Sequence, residues 1–307
     1  MTTRNPLRSL LSTRYCLILL VVLSSIGFST KGVLAKLSYQ YGIPAVPLLS
    51  LRMLLASPLF GLVLLLNSGP GTKKLTVREH LVAVLNGFLG LYFSAMLDFK
   101  GLQYITAGLE RTILFSYPTL IILINCFFLA QSPTRKQVFA VALSYIGLII
   151  AFIADWQEIG PGIITGSALV FGCAVSFALY MIGSAQYVSR YGALRYTSLV
   201  LLWATIMTSL HTALLYPPDI YVQPIEVYQI VALMAVIATV FPTLMLAVGL
   251  KNLGATNSAV ISSVGPVSTI FLSSWLLNEQ ITSLQVAGAG LVIAGVIVIA
   301  SERERGA

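Results

Sequence analysis

Four ionisable residues, Lys31, Arg52, Glu110 and Arg111, stand inside long apolar runs of this chain. A charge at the centre of a membrane helix costs at least about 2.5 kcal/mol, so residues of this kind face an interior cavity or a partner. Lys31, Arg52 and Glu110 each lie about eight residues from the same end of their runs, which at about 1.5 Å per residue puts them roughly 12 Å deep, at one level. That level lets Glu110 pair with Arg52 or Lys31 and leaves net positive charge for a carboxylate-bearing or otherwise anionic solute. Glu110 is also a candidate proton-coupling site, because a carboxylate in a low-dielectric site can take up a proton. The plainer reading of the same residues is a buried ion network, or Lys and Arg stems that snorkel to the surface.

Pro118 and Pro266 fall in the middle of apolar runs, where each removes a backbone hydrogen bond and leaves a carbonyl free. Such interruptions are tolerated where they line a cavity or where neighbours repair them. With Tyr117 and Gly265 just before them, and with Tyr92, Tyr180 and Asn257, they make up a candidate cavity lining. His211 and His80 have no visible partner and are given no role. Neither HExxH nor GxSxG occurs, and no aspartate is expected deep in a span, so an enzyme lacks its parts and is the weaker alternative. Cys16, Cys126 and Cys173 lack metal-like spacing, so neither metal nor cofactor is expected. No GxxxxGK[ST] phosphate loop is present to power a pump.

The elements that hold these residues must be membrane helices. The chain is 57% hydrophobic and 9% charged, against about a quarter charged in soluble proteins. Its net charge of +8 is scattered in short runs without interleaved aromatics, which argues against nucleic acid. At about 20 apolar residues per crossing, spans are expected near 15–37, 45–66, 80–99, 102–130, 136–154, 161–186, 195–216, 227–249, 253–277 and 284–300. The first run also resembles a signal peptide, with a cleavage site at Val33-Leu34-Ala35, but it is too long for one. With the N-terminus inside, thirteen loop Lys and Arg fall inside and only Lys36 and Lys100 outside. That bias predicts a multi-pass cell-membrane protein with both termini cytoplasmic.

Residues 101–152 align without a gap on 249–300, an offset of 148 that pairs Pro118 with Pro266, Thr134 with Thr282 and Gln137 with Gln285. Thr134-x-x-Gln137 and Thr282-x-x-Gln285 have the form of capping boxes opening the last helix of each half. Five is odd, so the second copy enters from the opposite side. The fold expected is therefore all-α, ten transmembrane helices in two inverted-topology repeats, residues 1–156 and 157–307. The deep charges are unpaired by the repeat, since Glu110 and Arg111 align with Ser258 and Ala259.

Around these positions the chain resembles the drug/metabolite transporter superfamily, and within it the EamA-type ten-helix transporters. The resemblance rests on Ser50 to Ala56, on Gly101 to Gly108 leading to Tyr117-Pro118-Thr119-Leu120, on Gly249-Leu250 through Ala255 to Gly265-Pro266-Val267, and on Leu276 to Thr282. It departs from the pattern where Gln131 stands opposite Glu279 and where Glu110-Arg111 replaces small apolar residues. The resemblance implies a secondary transporter working by alternating access, its partners a small solute such as an amino acid or organic anion, the bilayer, and protons as a candidate coupling ion. A membrane sensor that does not transport is the other alternative.

Overall fold

In lipid the backbone has no hydrogen-bond partner but itself, so the apolar runs are helical and their ends must be repaired by side chains or by neighbouring helices. The computed structural model describes residues 14–69, 72, 75–128, 133–159, 162–262 and 264–303; the side chains of 14, 128, 155, 157–159, 250–251, 254–260 and 299–303 lie outside that description. Asn257, Gln131, Ser258 and Ala259 therefore stay expectations from sequence.

The helices are α1 (Arg14–Tyr39), α2 (Ala45–Leu66), α3 (Val77–Gly87), α4 (Ser94–Gly101), α5 (Ala107–Leu114), α6 (Tyr117–Phe128), α7 (Arg135–Ile159), α8 (Gly162–Tyr191), α9 (Ala193–Leu215), α10 (Ile225–Ala235), α11 (Phe241–Ser262), α12 (Val264–Leu277) and α13 (Ser283–Arg303). Among the described residues eight segments are long and apolar enough to span a bilayer, and the shorter apolar stretches Val264–Leu277 and Ser283–Val298 follow.

The boundaries depart from the expected spans at two places. The fourth expected span, 102–130, is two helices meeting at Phe115-Ser116, so Pro118 is the second residue of α6. There, in the first turn, its missing N–H costs no helical bond. The separate start expected near 253 is absent, because α11 runs on unbroken to Ser262. At the corresponding break in the first copy Thr106 caps α5 by accepting from the Leu109 N–H at 3.0 Å; the residue 148 positions on is Gly254.

Other irregularities keep the repeat. A π-helical turn at Phe88–Phe93 joins α3 to α4, and another at Val236–Val240 joins α10 to α11; both start at equivalent positions. A π turn displaces the regular ladder, and hydroxyls take up its carbonyls: Ser176 donates to Leu89 O at 2.6 Å and Ser94 donates to Gly90 O. In the second turn Thr239 donates to Met234 O at 3.1 Å. Thr134 and Gln137 form the full capping box, and Thr282 accepts from the Gln285 N–H at 3.1 Å. A third box, Thr76 with Glu79, was equally readable from its spacing and was overlooked.

Packing crosses between the two copies. Helix α1 lies on α11 and α12, while α8 lies on α4, α5 and α6. Helices α2 and α9 pack on each other, as do α7 and α13, and in each case the partners occupy equivalent repeat positions. The α1 contact depends on small residues, as close helix packing in membranes does. Ser24 donates to Pro242 O and Ser25 to Ser262 O, both at 2.7 Å, and Ser29 donates to Gly265 O at 2.9 Å. Ser262 O is a carbonyl left free where α11 ends, and Pro266, in the first turn of α12, costs no helical bond there.

Helices α7 and α13 approach until a Cβ on Gly147 would stand 2.5 Å from Gly288 O, and one on Gly288 would stand 2.6 Å from Gly147 O. Overfilling such a contact costs about 1–3 kcal/mol. Gly147→Val is therefore expected to lower the thermal midpoint of the detergent-solubilised protein, whereas Gly61→Val, in open space, should leave it unchanged. Equal midpoints for the two variants would refute this packing.

Candidate functional site

Lys31 on α1 reaches across to two carboxylates. Its Nζ donates to Asp98 Oδ2 on α4 and, at 3.0 Å, to Glu110 Oε1 on α5. Asp98 is 2% exposed and Glu110 is 1% exposed, so both depend on Lys31 for compensation. Gly32 makes room for this approach, since a Cβ there would stand 3.2 Å from Glu110 Oε2. Of the two partners expected for Glu110, the structure brings Lys31 to it. Arg52, 5% exposed, sits with Cζ 4.8 Å from the centroid of the Phe99 ring. That is cation–π geometry.

Asp98, near the end of its segment, is buried against Lys31 rather than set in a loop. It is three residues before Gly101 at the end of an uninterrupted helix, and helical periodicity turns it inward while Lys100 lines a surface cleft. A charged pair at a run's end looks like a loop in a linear sequence. The signal was the spacing of Asp98 from Lys100 on one helix.

Arg111 follows Glu110 but points elsewhere. Its guanidinium lies against the start of α12, where a Cβ on Gly265 would meet Nη2 at 2.8 Å. The Nε atoms of Arg52 and Arg111 are buried without hydrogen-bond partners, and among the described residues neither guanidinium has a carboxylate at ion-pair distance. Asp98 Oδ1 and Glu110 Oε2 are also buried and unpartnered. The centre thus assembles three cations and two carboxylates from α1, α2, α4 and α5 and presents part of their hydrogen-bonding capacity unused.

The other expected lining residues divide. Gly265 and Pro266 are buried beside Arg111 and Ser25. Tyr117 stacks edge-on against Phe177 at 5.3 Å and Phe115 at 6.4 Å. Tyr180 is buried on Gly90 at the first π turn, a packing position. Tyr92 hydrogen-bonds His211 Nδ1 at 2.8 Å, which corrects the reading of His211 as partnerless; the two lie 119 residues apart, and nothing local signals the pairing. His80 contacts Thr76 O at 3.2 Å.

Glu279 proved more connected than its unmatched position suggested. It pairs with Lys36 at 2.8 Å and accepts from the Ala107 N–H at 3.2 Å, so a residue of the second copy caps a helix of the first. Gln285 adds a contact to Thr106 at 3.4 Å at the same place. At the other end Arg190 pairs with Glu79 at 2.7 Å. A cleft of about 260 Å³ opens at Pro44, Lys100, Gln103 and Tyr216, and one of about 390 Å³ at Leu64, His80, Tyr191 and Arg195; none of the five central charges lines either.

Removing one partner from a buried ion pair costs about 3–5 kcal/mol, since it strands the other charge. Lys31→Met should accordingly lower the thermal midpoint sharply, and adding Asp98→Asn to it should recover part of the loss. A midpoint unaffected by Lys31→Met would mean that the ammonium does not hold these carboxylates.

Comparison with known proteins agrees with this architecture. The model of the EamA-like transporter family matches residues 16–153 and again 164–301, two stretches displaced by the same 148 residues at both ends. The chain is 28% identical over 278 residues, 88% of each chain, to "Uncharacterized transporter YcbK" of Bacillus subtilis (strain 168). It is 28% identical over 233 residues, 74% of this chain and 75% of the relative, to "Uncharacterized transporter YyaM" of the same organism. A protein of known crystal structure is similar in fold, with TM-score 0.66 at 17% identity, covering 95% of this chain and 99% of its own. Matched twice, across nearly all its length, by the model of one family, this multi-pass membrane protein belongs to the EamA-like transporter family.

Proposed function

We propose that this chain is a secondary transporter for a small anionic metabolite, a carboxylate-bearing solute such as an organic acid or amino acid, and that Arg111 is its principal anchor. The observation that carries the reading is the charge imbalance of the centre. Lys31, Arg52 and Arg111 face two carboxylates, and both guanidiniums lack a carboxylate partner among the described residues. A buried cation without an anion is costly, and a bound carboxylate offers what is missing in the bidentate geometry that guanidinium favours. Arg111 also touches α12 at Gly265, so a solute held there would meet both copies of the repeat.

In this reading residues 1–156 and 157–307 are inverted five-helix repeats that exchange conformations, and protons are the candidate coupling ion. The Lys36–Glu279–Ala107 contact ties the two copies at one end and must open when that end does. The charge bias of the loops supports a cell-membrane location with both termini cytoplasmic.

The test is a flux screen in proteoliposomes with amino acids, nucleobases, monocarboxylates and dicarboxylates, with and without a pH gradient. A carboxylate should give flux. Arg111→Ala should then raise its KM at least about 30-fold, in line with the 2 kcal/mol or more lost when a buried charge pair is truncated. Flux confined to cationic or uncharged solutes would remove the anion reading, and no flux from the whole panel would remove transport of these classes.

Orientation has its own check. With the three native cysteines replaced by serine, Thr72→Cys should react with an impermeant maleimide only after cells are opened, and Gln223→Cys should react in intact cells. The reverse pattern would invert the topology.

A further inference from the structure

The two carboxylates on Lys31 leave one oxygen each, Asp98 Oδ1 and Glu110 Oε2, buried without a donor. Both carboxyl groups stand against the same ammonium, so two like charges share one counter-ion, and a single proton on either would relieve their repulsion. One ammonium holds both, and the groups that face them from the packed helices supply no further donor to the free oxygens. Tyr39 on α1 gives its hydroxyl to Phe99 O at 2.6 Å. Arg52 on α2 lies over the Phe99 ring, Arg111 on α5 lies against Gly265, and Cys173 on α8 is an electrostatic neighbour of all three members of the centre.

From this geometry we infer that Asp98 and Glu110 share a single exchangeable proton over Lys31, and that this proton travels with the anion in the same direction. The proton forms an O–H bond on one carboxyl of the pair while the other keeps its charge beside Lys31; its release leaves two carboxylates. With it bound, Lys31, Arg52 and Arg111 face one negative charge, a surplus of two positive charges for the solute. Without it the surplus is one. The anion therefore binds better to the protonated centre, and by linkage the proton binds better when the anion is present. Loss of either weakens the other, the condition for symport. The same carboxyl pair would drive exchange in opposite directions only if the solute were a cation.

The inference rests on the anionic-solute reading for its direction but not for its proton, and the experiment separates the two. Infrared spectroscopy of the purified protein at neutral pH should show one buried carboxylic-acid C=O stretch that shifts on transfer to D2O. Glu110→Gln and Asp98→Asn should each abolish it, because the remaining carboxylate then has Lys31 to itself. Absence of the band in the native protein, or its survival in Asp98→Asn, would overturn the shared proton. In proteoliposomes enclosing a pH dye, entry of glutamate or succinate, whichever the screen shows to move, should acidify the lumen with the native protein and not in protein-free liposomes. Solute entry without acidification, or entry accompanied by alkalinisation, would overturn symport. If the band behaves as expected while no carboxylate of the panel moves, the anion reading and the symport drawn from it fall, and the proton site stands.

Discussion

The bridge from Lys31 to Asp98 and Glu110 is the interaction on which the first copy of the repeat depends. It draws α1, α4 and α5 to one point far from water. In a low-dielectric interior neither a lone ammonium nor a pair of carboxylates is tolerable, so none of the three can be placed without the others. The approach also requires Gly32, which brings the α5 carboxylate against the α1 backbone. Arg52 and Arg111 then sit around a centre whose acidic charge is already engaged, which is why their positive charge remains available.

The same rule, that polar groups in lipid must find partners, shapes the scaffold. Helices break or bulge at repeat-equivalent places, and at each break a hydroxyl or a carboxylate from another helix fills the gap. Ser25 takes the carbonyl left at the end of α11, Ser176 takes Leu89 O in the first π turn, and Glu279 caps α5. Several of these repairs come from the other copy, so the irregularities that interrupt individual helices also join the two copies.

The repeat is close in backbone and loose in chemistry. Equivalent positions hold the π turns, the breaks before Pro118 and Pro266 and the caps at Thr134 and Thr282. Yet α11 runs through where its counterpart stops at Thr106, the cap of α5. Among the described residues the charges of the buried centre lie on α1, α2, α4 and α5, all in the first copy, and the second copy adds Glu279 as the cap of α5.

Much of this was legible in the sequence. Apolar runs of bilayer length, the 148-residue offset, the Thr-x-x-Gln caps and the charges at one depth are local or periodic properties, and the physics that enforces them acts within a segment: helix formation in lipid, capping and burial. What the sequence could not disclose depends on which segment lies beside which. Asp98 reads as a loop residue until α4 turns it toward Lys31, His211 lacks a partner until α9 meets Tyr92, and Glu279 is an unmatched acid until it reaches the N-terminus of α5. Each of these contacts joins residues at least 60 positions apart. Composition determines that a buried charge must have a partner, whereas only the tertiary structure decides which one, because in lipid several partners would satisfy the same electrostatic demand and packing selects among them.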